Sequence, residues 1–295
     1  MAQKTTKLRK IITENLIKSI KKAVTQPRPL IVESLREYMD SEGSEVAKSQ
    51  LKLMLENLQY GKAQSIPICQ DTGVLNFFVE LGSEFPIISN FKDIINNAVK
   101  KATATIPLRH NAFDPITNEN PETNVGINIP PIYLNIIENK DTLKITCLPK
   151  GGGAENISKL FMLNPANAQK EFQEKVVDTI KKAGGMPCPP VILGIGLGGD
   201  ATYCMKLAKE ALLRPLHKRH PRNDIAEIEL SLLDRINQLG IGPMGLGGEL
   251  TCIDVHIEVA MRHPASYPVG LIVQCYCHRW SSFEINKEGE IIHET

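Results

Sequence analysis

The chain has 295 residues, of which 42% are hydrophobic and 23% charged, and its formal net charge is +1. These values are typical of a folded globular protein, and the near-neutral charge argues against bulk electrostatic attraction to nucleic acid or an anionic membrane. No apolar run reaches the length of about 18 residues that a membrane span needs. The basic, amphipathic N-terminus lacks the apolar core of a signal peptide, so we expect a cytoplasmic protein.

The first part of the chain, to about residue 62, predicts helices because apolar residues recur there at helical spacing. Pro27 and Pro29 interrupt this pattern. Next come a strand rich in Val, Leu and Phe at residues 74–81 and an amphipathic helix at residues 90–102. Residues 107–131, rich in Pro, Asn and Thr, predict a long loop, and loops of this length are usually functional or disordered.

The rest of the chain predicts a mixture of strands and helices. The predicted elements are, in order, strands 132–137 and 143–148 joined by a turn, helix 167–183, strand 191–195, helices 201–213 and 224–239, and strands 253–259 and 269–274. The expected fold class is therefore α+β (mixed α/β), a helical N-terminal part followed by mixed β-sheet layers packed with helices. We expect one domain over residues 1–295, with enough length for two lobes.

A glycine motif at residues 194–199 matches the Gly-x-Gly-x-x-Gly pattern of dinucleotide-binding proteins. It follows a short apolar run and precedes a predicted helix, as that pattern requires. The pattern also needs a second strand that ends in Asp or Glu about 20 residues further on. Residues 214–221 are instead basic and interrupted by prolines. A nicotinamide-binding protein is therefore an unfavoured alternative.

The seven cysteines are scattered, odd in number and without a Cys-x-x-Cys pair, which argues against a disulfide framework and a zinc ribbon. We expect three cysteines in the core because they lie in apolar stretches: Cys147, Cys204 and Cys252. A nucleophilic pair could combine Cys275 or Cys277 with His278 or His263. Adjacent strand residues point to opposite faces, however, so the pair of Cys277 and His278 is better interpreted as structural. Cys277 alone stays ambiguous, because it can share the strand face of Cys275.

Cys69, Cys188 and Cys275 lie in segments that are rich in small, polar and reactive residues. Proline on both sides of Cys188 fixes its backbone, which suits a rigid ligand position. Three separated thiolates fit an iron–sulfur cluster. A cubane cluster held by three thiolates leaves one iron open as a Lewis acid.

Other polar residues in these segments offer the chemistry that such an iron would need. Asp71 could act as an acid or base, and Arg109 could bind a substrate carboxylate through two hydrogen bonds. His263 could donate to a carboxylate or transfer a proton. The run Gly151–Gly153 lets backbone N–H groups approach an anion. Taken alone, Asp71 is also an ordinary turn residue and Arg109 an ordinary surface charge.

Six segments carry a resemblance to a known family. They are Cys69–Gly73, Leu108–Asn111, Lys150–Gly153, Cys188–Pro190, Gly240–Gly245 and Arg262–Pro264. In composition and order they resemble the class I, iron–sulfur-dependent fumarase and tartrate dehydratase family, and the resemblance implies the fold of that family's N-terminal domain. It implies that a [4Fe–4S] cluster with one open iron is ligated by Cys69, Cys188 and Cys275. It also implies a substrate site lined by Gln70, Asp71, Arg109, Gly152 and His263, of which Asp71 and His263 are expected to be catalytic.

The resemblance extends to partners and reaction. Members of the family are one long chain or an α and a β subunit, and this chain resembles the α subunit alone. We therefore expect a β subunit that completes the active site in an α₂β₂ assembly, a small dicarboxylate substrate, and no nucleic acid or membrane partner.

Residues 150–156, where Lys precedes the glycines and Asn closes the run, look more like fumarases than tartrate-type α subunits. We expect reversible hydration of fumarate to malate. The alternative is dehydration of L(+)-tartrate to oxaloacetate, and a remoter one is a subunit that holds a cluster without catalysis.

Overall fold

The computed structural model describes residues 2–86 and 88–295 and contains helices and mixed β-sheets, which confirms the expected α+β class. The helices are α1 (Ala2–Thr25), α2 (Pro29–Ser41), α3 (Glu45–Gln64), α4 (Phe91–Thr105), α5 (Gly152–Glu155), α6 (Ala168–Ala183), α7 (Ala201–Ala211) and α8 (Asn223–Asn237). The strands are β1 (Val74–Gly82), β2 (Ile132–Ile137), β3 (Thr142–Lys150), β4 (Lys159–Leu163), β5 (Val191–Gly199), β6 (Cys252–Arg262), β7 (Tyr267–Gln274), β8 (Ser281–Asn286) and β9 (Ile291–Glu294). The sequence patterns do not predict the one-turn helix α5 or the strands β4, β8 and β9.

The chain divides into two compact units. The first unit comprises Met1–Pro27, Leu58–Gly151 and Arg279–Thr295, and the second comprises Arg28–Asn57 and Gly152–His278. The N-terminal helices α1 to α3 lie where the sequence predicts them, although Met1 itself is outside the described residues. They do not form a unit of their own, because α1 belongs to the first unit, α2 to the second, and the division falls within α3.

The first unit is built on a five-stranded sheet in the order β2-β1-β3-β8-β9. β2 runs parallel to β1, and the other neighbouring strands are antiparallel. The turn after β2 therefore does not close a hairpin, since β2 and β3 lie on opposite sides of β1. Apolar side chains of α1 and α4, such as Leu16 and Ile95, share one buried cluster with Phe77 of β1. Val74 lies opposite Lys150, so the loop before β1 adjoins the end of β3.

The second unit is built on a four-stranded sheet in the order β4-β7-β5-β6. Alternate residues of β5, including Leu193 and Ile195, pack into a buried cluster with Phe172 of α6 and Leu232 of α8. The intervening residues face α7, because successive side chains of a strand point to opposite faces. The sheet is thus covered by helices on both faces, and its strands are correspondingly apolar.

The glycine motif lies inside β5 rather than in the turn that follows it. A Cβ on Gly194 would lie 2.0 Å from the carbonyl oxygen of Ala208, and a Cβ on Gly196 would lie 2.0 Å from that of Cys204. These glycines therefore allow the backbone of α7 to approach the sheet closely.

The N-terminus of α7 is already occupied by a side chain of the chain itself. The carboxylate of Asp200 accepts hydrogen bonds from the backbone N–H groups of Thr202 and Tyr203 at 2.8 and 2.7 Å. A dinucleotide phosphate would use the same N–H groups. The structure therefore supports the rejection of the nicotinamide alternative. Separately, no helix among the described residues is long and apolar enough to cross a membrane.

Candidate active site

In the first unit, the loop Cys69–Gly73 leads into β1 and is fixed by its own side chains and glycine. The carboxylate oxygen Oδ1 of Asp71 accepts a hydrogen bond from the backbone N–H of Gly73 at 2.9 Å. Gly73 has a φ of 79°, and a Cβ there would lie within 3 Å of the backbone of Lys150. Only glycine fits this left-handed position without strain, so the loop lies directly against the end of β3.

Arg109 is brought to this loop by hydrogen bonds that span almost forty residues of sequence. Its backbone N–H donates to the hydroxyl of Thr72 at 3.0 Å. The side-chain amide of Asn111 lies 3.3 Å from that hydroxyl, 3.2 Å from the carbonyl oxygen of Gly73 and 3.5 Å from Oδ1 of Asp71. The segment that carries the exposed Arg109 therefore lies beside the loop that carries the half-buried Asp71.

Asn124, a buried residue with a φ of 56°, forms hydrogen bonds with the segment that carries Arg109 and Asn111. Its Oδ1 accepts from the backbone N–H of Asn111 at 2.7 Å, and its Nδ2 donates to the carbonyl oxygen of Arg109 at 2.9 Å and to the hydroxyl of Thr103 at 3.2 Å. The sequence analysis includes Asn111 in a segment that carries the resemblance but gives it no role, and it misses Asn124. The signal available was the unusual density of Asn in residues 107–131.

In the second unit, a backbone hydrogen bond joins Cys188 to Tyr276, the residue after Cys275. Cys188 is exposed and has a φ of 54°, and its carbonyl oxygen accepts from the N–H of Tyr276 at 3.3 Å. Cys275 follows the end of β7 and is half-buried, and its carbonyl oxygen accepts from the N–H of His278 at 3.0 Å. Burial and the nearby charge of Arg28 lower the pKa of His278 to about 3, so this imidazole is neutral at physiological pH.

Two glycine-rich segments pack against the turn that carries Cys188. A Cβ on Gly185 would lie 2.7 Å from the carbonyl oxygen of Met244, and the N–H of Met244 donates to the carbonyl oxygen of Pro189 at 2.9 Å. A Cβ on Gly153 would lie 3.3 Å from the carbonyl oxygen of Met186. The segments Gly240–Gly245 and Gly152–Gly153 thus both support the cysteine turn, and Gly152 itself is exposed.

His263 is not brought together with Cys188 and Cys275 in this unit. It precedes the first residue of β7, whereas Cys275 follows the last one. The strand has eight residues, which at about 3.3 Å per residue separates its ends by about 25 Å. His263 is exposed, and its Nδ1 accepts from the N–H of Ala265 at 3.1 Å. The sequence could not reveal this separation, because it depends on the direction in which β7 runs.

Burial divides the cysteines into two groups. Those that reach solvent are Cys69, Cys188 and Cys275, and those that are buried are Cys147, Cys204, Cys252 and Cys277. Burial raises the pKa of Cys204 to about 11 and also raises the pKa values of Cys147 and Cys252, which disfavours the thiolate that a metal needs. Across residues 2–86 and 88–295, no group of three or more His, Cys, Asp or Glu side chains is arranged to hold a metal ion.

Comparison with known proteins decides the family. Residues 13–284 match the sequence profile of the family described as Fumarate hydratase (Fumerase). The chain belongs to this family. Fumarate hydratases are hydro-lyases, so the chain is a hydro-lyase by membership, as the resemblance implies.

Three relatives of the chain carry related names. A Methanocaldococcus jannaschii protein provisionally named L(+)-tartrate dehydratase subunit alpha is 44% identical over 261 residues, which are 88% of this chain and 92% of the relative. The L(+)-tartrate dehydratase alpha subunits of Escherichia coli K12 and Shigella sonnei are each 35% identical over 249 residues, 84% of this chain and 82% of theirs. The chain therefore matches nearly the whole length of proteins that are named as one subunit of an enzyme.

Proposed function

We propose that the chain is the α subunit of an iron–sulfur hydro-lyase that hydrates fumarate reversibly to malate, with a β subunit that completes the active site. The observation that carries the proposal is the hydrogen-bonded pairing of the Asp71 loop with Arg109 in a member of the fumarate hydratase family. This pairing combines an acid–base group with a group that binds carboxylates.

We assign Cys69, Cys188 and Cys275 as the ligands of a [4Fe–4S] cluster. The donor set fits, because these are the thiols that solvent reaches and the other four cysteines are buried. A bound cluster with three thiolate ligands supplies an open iron that acts as a Lewis acid toward a substrate oxygen. The left-handed backbone of Cys188 supports this assignment, since such strain is typical of functional positions.

The residues of the chain itself bind and orient the substrate. Arg109 binds one carboxylate of the dianion, and the exposed side chain of Gln70 provides a further donor. The exposed Gly152 lines the substrate site without a side chain. Asp71 exchanges the proton of the water that is added or removed. Both hydrogen-bonded loops are fixed before substrate arrives, which favours alignment of the reacting groups. We propose no role for His263 beside Cys188 and Cys275 of its own chain.

Tartrate dehydration is the second candidate, because the relatives of the chain are named as L(+)-tartrate dehydratase alpha subunits. Both reactions add or remove water at a small dicarboxylate, so the same residues serve either.

The word alpha in those names also supports a partner subunit, which we propose to assemble as α₂β₂. Seven scattered cysteines, odd in number and without a Cys-x-x-Cys pair, favour a reducing compartment, and we propose the cytoplasm.

The test is anaerobic co-expression with a candidate β chain, followed by parallel assays with fumarate and L(+)-tartrate. Preferential turnover of fumarate supports the first proposal, and preferential turnover of tartrate replaces it with the second. Binding of a cluster by the complex without turnover of either substrate indicates a cluster-holding subunit and contradicts both.

The ligand assignment is tested with Cys188→Ser and with Cys204→Ser as the matched control, because Cys204 is buried in α7. We expect the first variant to lose cluster absorbance and activity and the second to keep both. Full cluster content in Cys188→Ser contradicts the assignment.

A further inference from the structure

Arg279 is a fully buried arginine in the first unit, with 1% of its surface exposed. It is the first residue of that unit's last segment, Arg279–Thr295, and precedes β8 by two residues. A guanidinium is charged at every accessible pH, and arginine is rarely buried without partners that compensate the charge. Neither the sequence patterns nor the proposed reaction assigns this residue a role.

Three segments of the first unit converge at Arg279. Val74 lies opposite Lys150, and Cys147 lies opposite Ser281, so the register brings residues 71–73, 150–151 and 279 to one end of the sheet. A Cβ on Gly151 would lie 3.0 Å from Oδ2 of Asp71 and 3.6 Å from Nη2 of Arg279. Oδ2 of Asp71 and Nη2 of Arg279 thus both lie near the position that a Cβ of residue 151 would take, and the glycine leaves that position without a side chain.

The two oxygens of Asp71 have different surroundings. Oδ1 faces the N–H of Gly73 at 2.9 Å and the amide of Asn111 at 3.5 Å. Oδ2 lies on the side of Gly151 and Arg279. Opposite charges attract each other, and water screens the charge of the buried Arg279 only weakly. Donors on one oxygen and a cation near the other select a single orientation of the carboxylate.

We propose that Arg279 is a positioning residue that holds the carboxylate of Asp71 against Gly151. Arg279 is too buried to bind substrate itself, so it acts through Asp71. Gly151 contributes to the same arrangement, because a Cβ there, 3.0 Å from Oδ2, would require the carboxylate to shift by a few tenths of an ångström. The catalytic consequence rests on the proposed function, in which Asp71 handles the proton of the added water.

The variants are Arg279→Met, which removes the charge at similar length, and Arg279→Lys, which keeps the charge but loses the planar fork. Gly151→Ala presses on Oδ2 of Asp71 at 3.0 Å and makes only an ordinary van der Waals contact, at 3.6 Å, with Nη2 of Arg279. Arg9→Met is the matched control in the same unit, because Arg9 donates to Ser89 at 2.7 and 2.8 Å, away from Asp71. Each variant is co-purified with the β subunit under anaerobic conditions.

We expect Arg279→Met and Gly151→Ala to lower kcat per bound cluster by about 100-fold while KM changes by less than about threefold, because the reacting group is misplaced and substrate binding is kept. Arg279→Lys should recover about tenfold of that loss, and Arg9→Met should match the parent. In crystal structures, Oδ2 of Asp71 should move away from Gly151 in the first two variants.

Unchanged kcat per cluster in Arg279→Met, or an Asp71 side chain that stays in place in its crystal structure, overturns the proposal. If Arg279→Met does not fold, Arg279→Lys decides by the same two readouts, because Gly151→Ala acts on Asp71 directly and reports only how far kcat depends on the position of its carboxylate. If the parent complex turns over neither fumarate nor tartrate, the proposed function fails. The crystallographic position of Asp71 then still tests whether Arg279 holds it.

Discussion

In the interior of the second unit, Nε2 of His256 lies 3.0 Å from Oδ2 of Asp254, and Nδ1 of the same ring lies 3.1 Å from the carbonyl oxygen of Ala211. Both partners are hydrogen-bond acceptors, an arrangement that suits an imidazolium donating from both nitrogens. Asp254 also accepts from the backbone N–H of His217 at 2.6 Å and from the guanidinium of Arg219. This fully buried carboxylate is therefore surrounded by donors.

Asp254→Asn should destabilise the protein in a pH-dependent way. Burial alone would raise the pKa of Asp254, but the hydrogen bond and charge of His256, together with Arg219, outweigh it and hold the pKa well below its ordinary value of 3.8. A group with a depressed folded pKa contributes stability above its unfolded pKa and loses it as the pH falls toward the folded value. We expect a loss of about 3–5 kcal/mol in the free energy of unfolding at pH 7, since the buried cations lose their partner.

The measurement is urea unfolding of parent and variant from pH 7 to pH 2. The difference between them should stay constant down to about pH 4 and shrink below it. Asp224→Asn is the control, because Asp224 pairs with Arg222 at the exposed start of α8 and its loss should change stability little. A difference for Asp254→Asn that does not depend on pH would show that the charge of Asp254 is not what stabilises the unit.

Gly196→Ala should destabilise the second unit by packing α7 too tightly. The new Cβ would lie 2.0 Å from the carbonyl oxygen of Cys204, which forces the helix or the strand to move. Overpacking of this kind costs about 1–3 kcal/mol or more. Urea unfolding measures the loss, and Gly43→Ala is the control, since a Cβ on Gly43 meets nothing closer than 3.8 Å. If the parent binds a nicotinamide cofactor tightly and Gly196→Ala abolishes that binding, residues 194–199 are a dinucleotide-binding motif after all.

The glycine motif shows which parts of the fold the sequence can predict. Apolar periodicity predicts α7 and β5, because burial of one face of each element leaves a regular pattern. The pattern does not show that β5 continues through Gly199, because glycine is common both in turns and where backbones approach closely. The edge strand β9 is missed because its residues, such as Ile291, are exposed and leave no apolar alternation. The strand β8 is missed because two of its buried residues, Ser281 and Ser282, are polar.

The candidate site divides in the same way. Residue type and neighbours indicate Asp71 and Arg109, because reactive side chains in Gly- and Pro-rich segments are unusual in a core. The sequence pattern could not show that Asn124 supports Arg109 or that Arg279 supports Asp71, because each pair is 15 or more positions apart in the chain. The sequence also does not show the direction of a strand: His263 lies in a segment that resembles the family, yet β7 separates it from Cys275.

Asn124→Ala should weaken substrate binding, because Asn124 holds the backbone of Arg109 and Asn111. We expect KM to rise by about tenfold as Arg109 loses its fixed orientation, and the free energy of unfolding to fall by about 1–3 kcal/mol. Steady-state kinetics of the αβ complex and urea unfolding measure the two effects. Asn128→Ala is the matched control, because Asn128 has nearly the same φ, 55° against 56°, and is exposed. Equal KM values for the two variants would remove Asn124 from the support of Arg109.

Cys275→Ser and Cys277→Ser should differ sharply, although the two cysteines are separated by one residue. Cys275 reaches solvent at the end of β7, beside the backbone of the exposed Cys188, whereas Cys277 is buried with 1% of its surface exposed. After anaerobic reconstitution we expect Cys275→Ser to lose the visible absorbance and iron content of the cluster and Cys277→Ser to retain both. Far-UV circular dichroism checks that both variants are folded. Loss of the cluster in Cys277→Ser alone would show that Cys277 is the third ligand. Since this thiol is buried, the segment after β7 would then have to rearrange around the metal.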